Sequence, residues 1–362
     1  MSYTTLVDVA TLQAHVDDPA WLVVDVRHQL ADTGYGERVY ATSHIPGAVF
    51  LHCDRDLSGP MTGCNGRHPL PDVSVLAEKL GAIGIGASTQ VVVFDDAQGM
   101  IAGRLWWLLR WLGHDSVALL DGGLQAWQAA GGAMTDIVPN LSPTVFVALL
   151  QDRLVDVDSV MERIETPHMH LVDARGPDRF RGENETIDPV GGHIPGAANR
   201  FFKDNLLPDG RFKPAAELRA EWLAILAGSP PDLVVHQCGS GVSACLNVLA
   251  MEIAGLPGSR LYAGSWSEWC ADPGRRSGAP GSALIGRPRH GKSESRHRPA
   301  RAGRHHHGVW RYAWLEHAAA GSFCRLAAAR QRTARRCNRR PWRNTGAGRN
   351  GHRKAAFFQP VG

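Results

Sequence analysis

At 362 residues with 44% apolar side chains, the chain has room for two soluble domains of ordinary size, each with its own core. No run reaches about 18 apolar residues and acidic Asp8 stands where a leader would carry basic charge, so neither a membrane span nor a secretory signal is expected, and the chain reads as cytoplasmic. The net charge of +4 joins two unlike parts: residues 275–362 hold 19 Arg and 2 Lys against Glu294 and Glu316, a net +19, leaving 18 basic and 33 acidic residues before them, a net −15.

In chain order, Trp21-Leu-Val-Val-Asp-Val-Arg27 predicts a buried strand ending in Asp-x-Arg, and His44-Ile-Pro-Gly-Ala48 a turn after it. Leu76, Leu80 and Ile83 form a helical stripe, Val91 to Phe94 a strand, Met100 to Leu112 a tryptophan-rich helix and Val117 to Leu120 another strand. Asp121-Gly-Gly then turns the chain into a helix over Leu124 to Ala130. Gly131, Gly132, Pro139 and Pro143 mark a connection, set at 136–150, between a first domain at 1–135 and a second at 151–274.

The second domain repeats the first. Leu171-Val-Asp-Ala-Arg175 and His193-Ile-Pro-Gly-Ala197 echo the first two motifs. Leu233 to His236 and Ala263-Gly-Ser-Trp-Ser-Glu-Trp269 stand 142 residues beyond their counterparts. Strands alternating with helices predict an α/β fold in each half, a parallel sheet flanked by helices. Residues 275–362, rich in Arg, Gly and Ala, predict a disordered basic tail, and their composition is what a GC-rich gene spells in a shifted frame.

Seven cysteines (Cys53, Cys64, Cys238, Cys245, Cys270, Cys324 and Cys337) include no Cys-x-x-Cys pair, a poor framework for disulfides or zinc. A reducing compartment suits them, and there one activated thiol can be kept for chemistry. Val234-Val-His-Gln-Cys238-Gly-Ser-Gly-Val-Ser-Ala-Cys245 is the candidate: a strand runs into a cysteine, then small residues, then a helix from Leu246 to Ile253. The backbone of Gly239, Ser240, Gly241, Val242 and Ser243 can curl until its N–H groups converge on one spot. The helix adds its positive end, and both effects favour a nucleophilic thiolate on Cys238 and would cradle a persulfide. Cys245, two helical turns on, reads as core, and Cys53, Cys64 and Cys270 are given no role.

Cys-Gly-Ser-Gly-Val-Ser-Ala at a helix head, Gly192-His-Ile-Pro-Gly-Ala197 upstream and Gly264-Ser-Trp-Ser-Glu-Trp269 downstream resemble the rhodanese superfamily, and within it the two-domain thiosulfate and 3-mercaptopyruvate sulfurtransferases. The likeness runs over about residues 5–274. It implies two tandem rhodanese-like domains, the first inert and the second catalytic. The offset of 142 puts Asp96 opposite Cys238, a residue that cannot form a persulfide. Arg179, in Asp178-Arg-Phe-Arg-Gly182, matches the family's arginine for an anionic sulfur donor, whereas Arg175 reads as a structural partner repeated by Arg27. Where mercaptopyruvate enzymes carry a second arginine, nine residues on, this chain has Asp188. The neutral Gly239-Ser240 pair nevertheless favours that class over thiosulfate enzymes, which often have Arg-Lys there. His44 and His68 lie in the first half, and the resemblance suggests His44 with Ser240 as a proton relay, against a plainer loop-pinning role that His193 would share.

The implied activity is transfer of a sulfane sulfur from 3-mercaptopyruvate or thiosulfate, through a Cys238 persulfide, to a thiol, a thioredoxin-like protein or cyanide. No metal or organic cofactor is expected. A phosphatase on the same fold would need Cys-x5-Arg, and Ala244 stands at the arginine's place. The alternative is a non-catalytic rhodanese-like carrier or binding module whose basic tail contacts nucleic acid. That contact would rest on counterion release alone, so no specific nucleic acid is expected. The His305-His-His307 run is assigned no function.

Overall fold

The computed structural model describes residues 2–278; the basic tail, its frameshift reading and the histidine run lie outside the described residues, apart from Arg275–Gly278. Each half is a five-stranded, all-parallel sheet. The first orders its strands β1-β5-β4-β2-β3, with β1 Leu6–Val7, β2 Trp21–Asp25, β3 Val49–Phe50, β4 Gln90–Phe94 and β5 Val117–Leu120. The second repeats that order as β6-β10-β9-β7-β8, with β6 Leu154–Val155, β7 His170–Asp173, β8 Ala198–Asn199, β9 Val234–Gln237 and β10 Arg260–Tyr262. Helices cover both faces, so the central strands are apolar throughout rather than alternating: Val91, Val92, Val93 and Phe94 are all buried.

The first half carries α1 Val9–His15, α2 Tyr35–Thr42, α3 Val73–Ala82, α4 Ala102–Trp111 and α5 Gly123–Ala129. The second carries α6 Val157–Arg163, α7 Pro177–Arg181, α8 Ala215–Leu226, α9 Ala244–Ile253 and α10 Ser265–Trp269. The duplication extends to the caps. Asp8 accepts from Thr11 N at the start of α1, and Asp156 from Ser159 N at the start of α6, each satisfying an amide the helix leaves open.

The repeated Asp-x-Arg and His-Ile-Pro-Gly motifs form one device in each half. Arg27 pairs with Asp25 at 2.6 Å and donates to Ser43 O, just ahead of His44. Arg175 pairs with Asp173 at 2.7 Å and donates to Gly192 O, just ahead of His193. The imidazoles then bond Tyr40 O and Phe180 O and stack on those same two rings. Arg175 is therefore the internal partner its repeat predicts.

The two halves meet where α4 packs on α9. A side chain on Gly103 would come within 3.3 Å of Leu246 Cδ1 and 3.4 Å of Leu246 N, so a small residue there sets the approach of the two helices. One apolar core runs through this seam, from Trp106 and Leu109 to Leu246 and Leu249. The packed chain continues beyond the expected boundary at 274: Trp269 Nε1 donates to Arg276 O at 2.8 Å and Gly278 bridges His193. Among the described residues no helix is long and apolar enough to cross a membrane.

Candidate active site

Strand β9 delivers Cys238 to the C-terminal edge of the second sheet, where the loop to α9 begins. Its side chain is nearly sealed, at 2% exposure. Three bonds from the α10 turn hold the backbone there: Ser265 Oγ accepts from Cys238 N at 3.1 Å, Trp266 N donates to Cys238 O at 3.0 Å, and Ser267 N donates to Gly239 O at 2.9 Å. Gly241 has φ +77°, and a Cβ there would strike Ala263 O at 2.2 Å, so the curl of the loop requires glycine at that point. Gly239 serves differently. A Cβ on it would meet Arg67 Nη2 at 2.9 Å and the Arg179 guanidinium at 3.7–3.8 Å, so two cations lie over the residue next to the thiol. Val242 is buried behind the loop, and Ser243 precedes the first turn of α9 without capping it.

The residue opposite Cys238 is Asp95, one earlier than the sequence offset of 142 indicates. Phe94 pairs with Asp25 as Gln237 pairs with Asp173, and Leu124 N donates to Asp95 O as Trp266 N does to Cys238 O. The first loop holds one more residue before its helix, which displaces a count made along the sequence. Asp95 shows what such a loop does: its buried carboxylate accepts from the amides of Ala97, Gly99, Ile101 and Ala102 at 2.8–2.9 Å. Burial still raises the pKa of Asp95, and the four converging donors oppose that rise. The first half thus fills its anion cradle with its own side chain, where the second half offers a sulfur.

His44 does not reach Ser240. It is fully buried, with Nδ1 on Tyr40 O at 2.7 Å and Nε2 on Ile137 O at 3.1 Å, so it pins its loop, as the repeat at His193 would suggest. His68 takes the place instead: Nδ1 lies 2.7 Å from Ser240 Oγ, and Nε2 lies 3.3 Å from Asp54 Oδ1. The contact with His68 holds the Asp54 carboxyl below its usual range. Ser240, His68 and Asp54 form a hydroxyl–imidazole–carboxylate chain ending beside Cys238.

Arg179 bonds Glu185 at 2.8 Å and Asp188 at 3.4 Å, and Arg67 pairs with the same Asp188. Both carboxylate side chains are 3% exposed. Two arginines and two acids therefore face one another at the loop, with no net charge. Burial holds the Arg67 guanidinium below its usual pKa, against a smaller opposing effect of the neighbouring Cys238. Behind the loop, Arg104 of α4 is fully buried and donates to Gly241 O and His68 O at 3.0 and 3.1 Å, tying the cysteine loop to the segment that carries His68. Cys245 is also core: burial pushes its thiol up to about 12. A cleft of about 500 Å³ lies between the halves, lined by Asp96 and Gln98 of the first and Lys203 and Asp209 of the second, and its lining includes none of the groups around Cys238.

Sequence reasoning missed Arg67 and Asp54 and set His68 behind His44. Gly66-Arg-His-Pro-Leu70 is a polar, turn-forming segment, and such loops carry function more often than packing. Nothing local, however, says which part of the other half it meets.

A family model described as a rhodanese-like domain matches residues 8–130 and 156–272. A Pseudomonas aeruginosa protein named "Probable 3-mercaptopyruvate sulfurtransferase" is 50% identical over 278 residues, covering 76% of this chain and 98% of its own. Thiosulfate sulfurtransferase of Bos taurus is 34% identical over 69% of this chain and 85% of its own. The structure of 3-mercaptopyruvate sulfurtransferase from Leishmania major superposes with a TM-score of 0.66 at 30% identity, over 74% of each chain.

Proposed function

The chain belongs to the rhodanese-like family, with two copies of its domain, and from that premise we propose that it is a sulfurtransferase working through a persulfide on Cys238, with 3-mercaptopyruvate as its preferred donor. The observation that carries this reading is the meeting of Cys238, in one half, with Arg67 and His68 of the other around a single loop.

The Cys238 thiolate attacks the thiol sulfur of the donor. An S–S bond forms as the donor's C–S bond breaks, and that electron pair leaves with pyruvate enolate. The proton left on the outer sulfur has to reach the enolate carbon, and Ser240 with His68 offers it a path while Asp54 steadies the imidazolium. The outer sulfur, now anionic, settles among the loop amides, in the place the Asp95 carboxylate takes in the first half. A thiolate acceptor, small or borne by a thioredoxin-like protein, then attacks the outer sulfur and frees Cys238; cyanide would serve in vitro. Arg67 and Arg179 face the donor carboxylate. Because Glu185 and Asp188 already balance them, the mouth favours a monoanion over a dianion such as thiosulfate. A reducing setting, the cytoplasm, would keep Cys238 as a thiol between turnovers.

The test is a steady-state comparison of the two donors with cyanide and with a dithiol. We expect kcat/KM for 3-mercaptopyruvate to exceed that for thiosulfate by at least about tenfold. His68→Gln should lower kcat with 3-mercaptopyruvate by about 10²-fold and spare thiosulfate, whose departing sulfite needs no proton. A preference for thiosulfate, or equal losses with both donors, would overturn the donor assignment and the relay respectively.

A further inference from the structure

We propose that His28, Cys53 and Asp54 form a second site, for a thiophilic divalent metal such as Zn²⁺, placed directly behind the proton path of the donor reaction. Their ligand atoms all lie within 4.8 Å of one another. Tetrahedral zinc with bonds of about 2.0–2.3 Å sets its ligands about 3.5 Å apart, so the three need to close by about 1.3 Å at most. An imidazole, a thiolate and a carboxylate are a donor set suited to Zn²⁺, and the two anions balance its charge.

A second observation points to a ligand. His28 Nε2 is buried with no hydrogen-bond partner, although its side chain is only 2% exposed and the nearest Asp54 oxygen is 3.8 Å away. Neighbouring His52 is already occupied: Nε2 bonds Thr33 O, and Nδ1 accepts from the amides of Asp54 and Arg55. Cys53 is buried at 1% exposure, and metal binding there would displace its thiol proton to solvent. Asp54, with its side chain 34% exposed, is the open side of the cluster.

The same Asp54 oxygen faces His68 Nε2 at 3.3 Å, so a metal held by Asp54 would compete for the carboxylate that steadies His68. Metal binding stands on the cluster alone; its inhibitory effect rests on the relay proposed above.

The probe is Co²⁺, added to the full chain with His305, His306 and His307 changed to alanine so that the tail run cannot contribute. We expect one Co²⁺ per chain and a thiolate-to-metal charge-transfer absorption, retained in Cys238→Ser and lost in both Cys53→Ala and His28→Gln. With 3-mercaptopyruvate as donor, the Zn²⁺ concentration for half inhibition should rise at least about tenfold in those two variants while their metal-free activity holds. If Cys53→Ala fails to fold, His28→Gln decides. No charge-transfer absorption in the parent, absorption lost in Cys238→Ser, or absorption surviving in His28→Gln would overturn the site. Absorption without inhibition would keep the site and overturn the link through Asp54.

Discussion

Ser265 is the sharpest test of how the cysteine loop is held. Its backbone has φ +54°, the left-handed region that disfavours a side chain, and Gly123 takes the matching place in the first half at φ +59°. The second half keeps a serine there because its hydroxyl spans the loop, accepting from Cys238 N at 3.1 Å and donating to Tyr262 O at 2.9 Å. Ser265→Ala keeps the strain and leaves both groups buried and unpaired, a loss of about 3 kcal/mol at 1–2 for each group. Ser265→Gly loses the same bonds but relieves about 1 kcal/mol of left-handed strain, for a net loss of about 2 kcal/mol. Glycine should thus be the milder change, although it is the poorer residue at the head of a helix. Thermal unfolding should place the midpoint of the alanine variant about 6–12 °C below the parent, with glycine between them. Donor assays should show both variants losing kcat at least about tenfold as the Cys238 backbone loosens. An alanine variant as stable as glycine, or either one with full kcat, would refute the argument.

Cys238→Ser should abolish transfer with every donor without changing the unfolding midpoint. Donor treatment should add about 32 Da, one sulfur, to the parent alone, as mass spectrometry of the intact chain would show. Arg179→Ala and Arg67→Ala should each raise KM for 3-mercaptopyruvate by about 10- to 100-fold, the size of one lost charge-assisted contact. Unchanged kinetics in both would place the donor elsewhere. His236, fully buried against Met251 and Trp222, is pushed down to about 3 by burial. The folded chain keeps it neutral while the unfolded chain protonates it near 6.5, so its contribution is complete above that pH and is lost as pH falls toward 3. Denaturant titrations should show a shallower fall for His236→Leu than for the parent, by up to about 1.4 kcal/mol per pH unit. Parallel slopes would count against it.

What the sequence determined by itself was everything encoded locally. An apolar run ending in Asp-x-Arg makes a buried strand whose arginine folds back on its own aspartate, and it does so twice. Small residues between β9 and α9, set between a strand and a helix, single out Cys238 and its loop as the candidate site. The doubled order of motifs told of two sheets of one topology, because each repeat is a unit that could be read without the other.

The tertiary structure decided which partners these local devices meet. Ser240 and His68 are 172 residues apart, and they touch only because Gly103 lets α4 lie close on α9. Arg67 and Asp188 are 121 apart, so the position that lacks the expected arginine faces one supplied from the other half. His44 was chosen by its motif, yet its ring is spent on Tyr40 and Ile137 at the opposite end of its loop. Asp95 and Asp96 are adjacent and alike in the sequence, and only strand register tells which one stands opposite the thiol. Hydrophobic periodicity and turn chemistry act over a few residues; a site shared between two domains depends on how their surfaces pack, and that is a property of the whole fold.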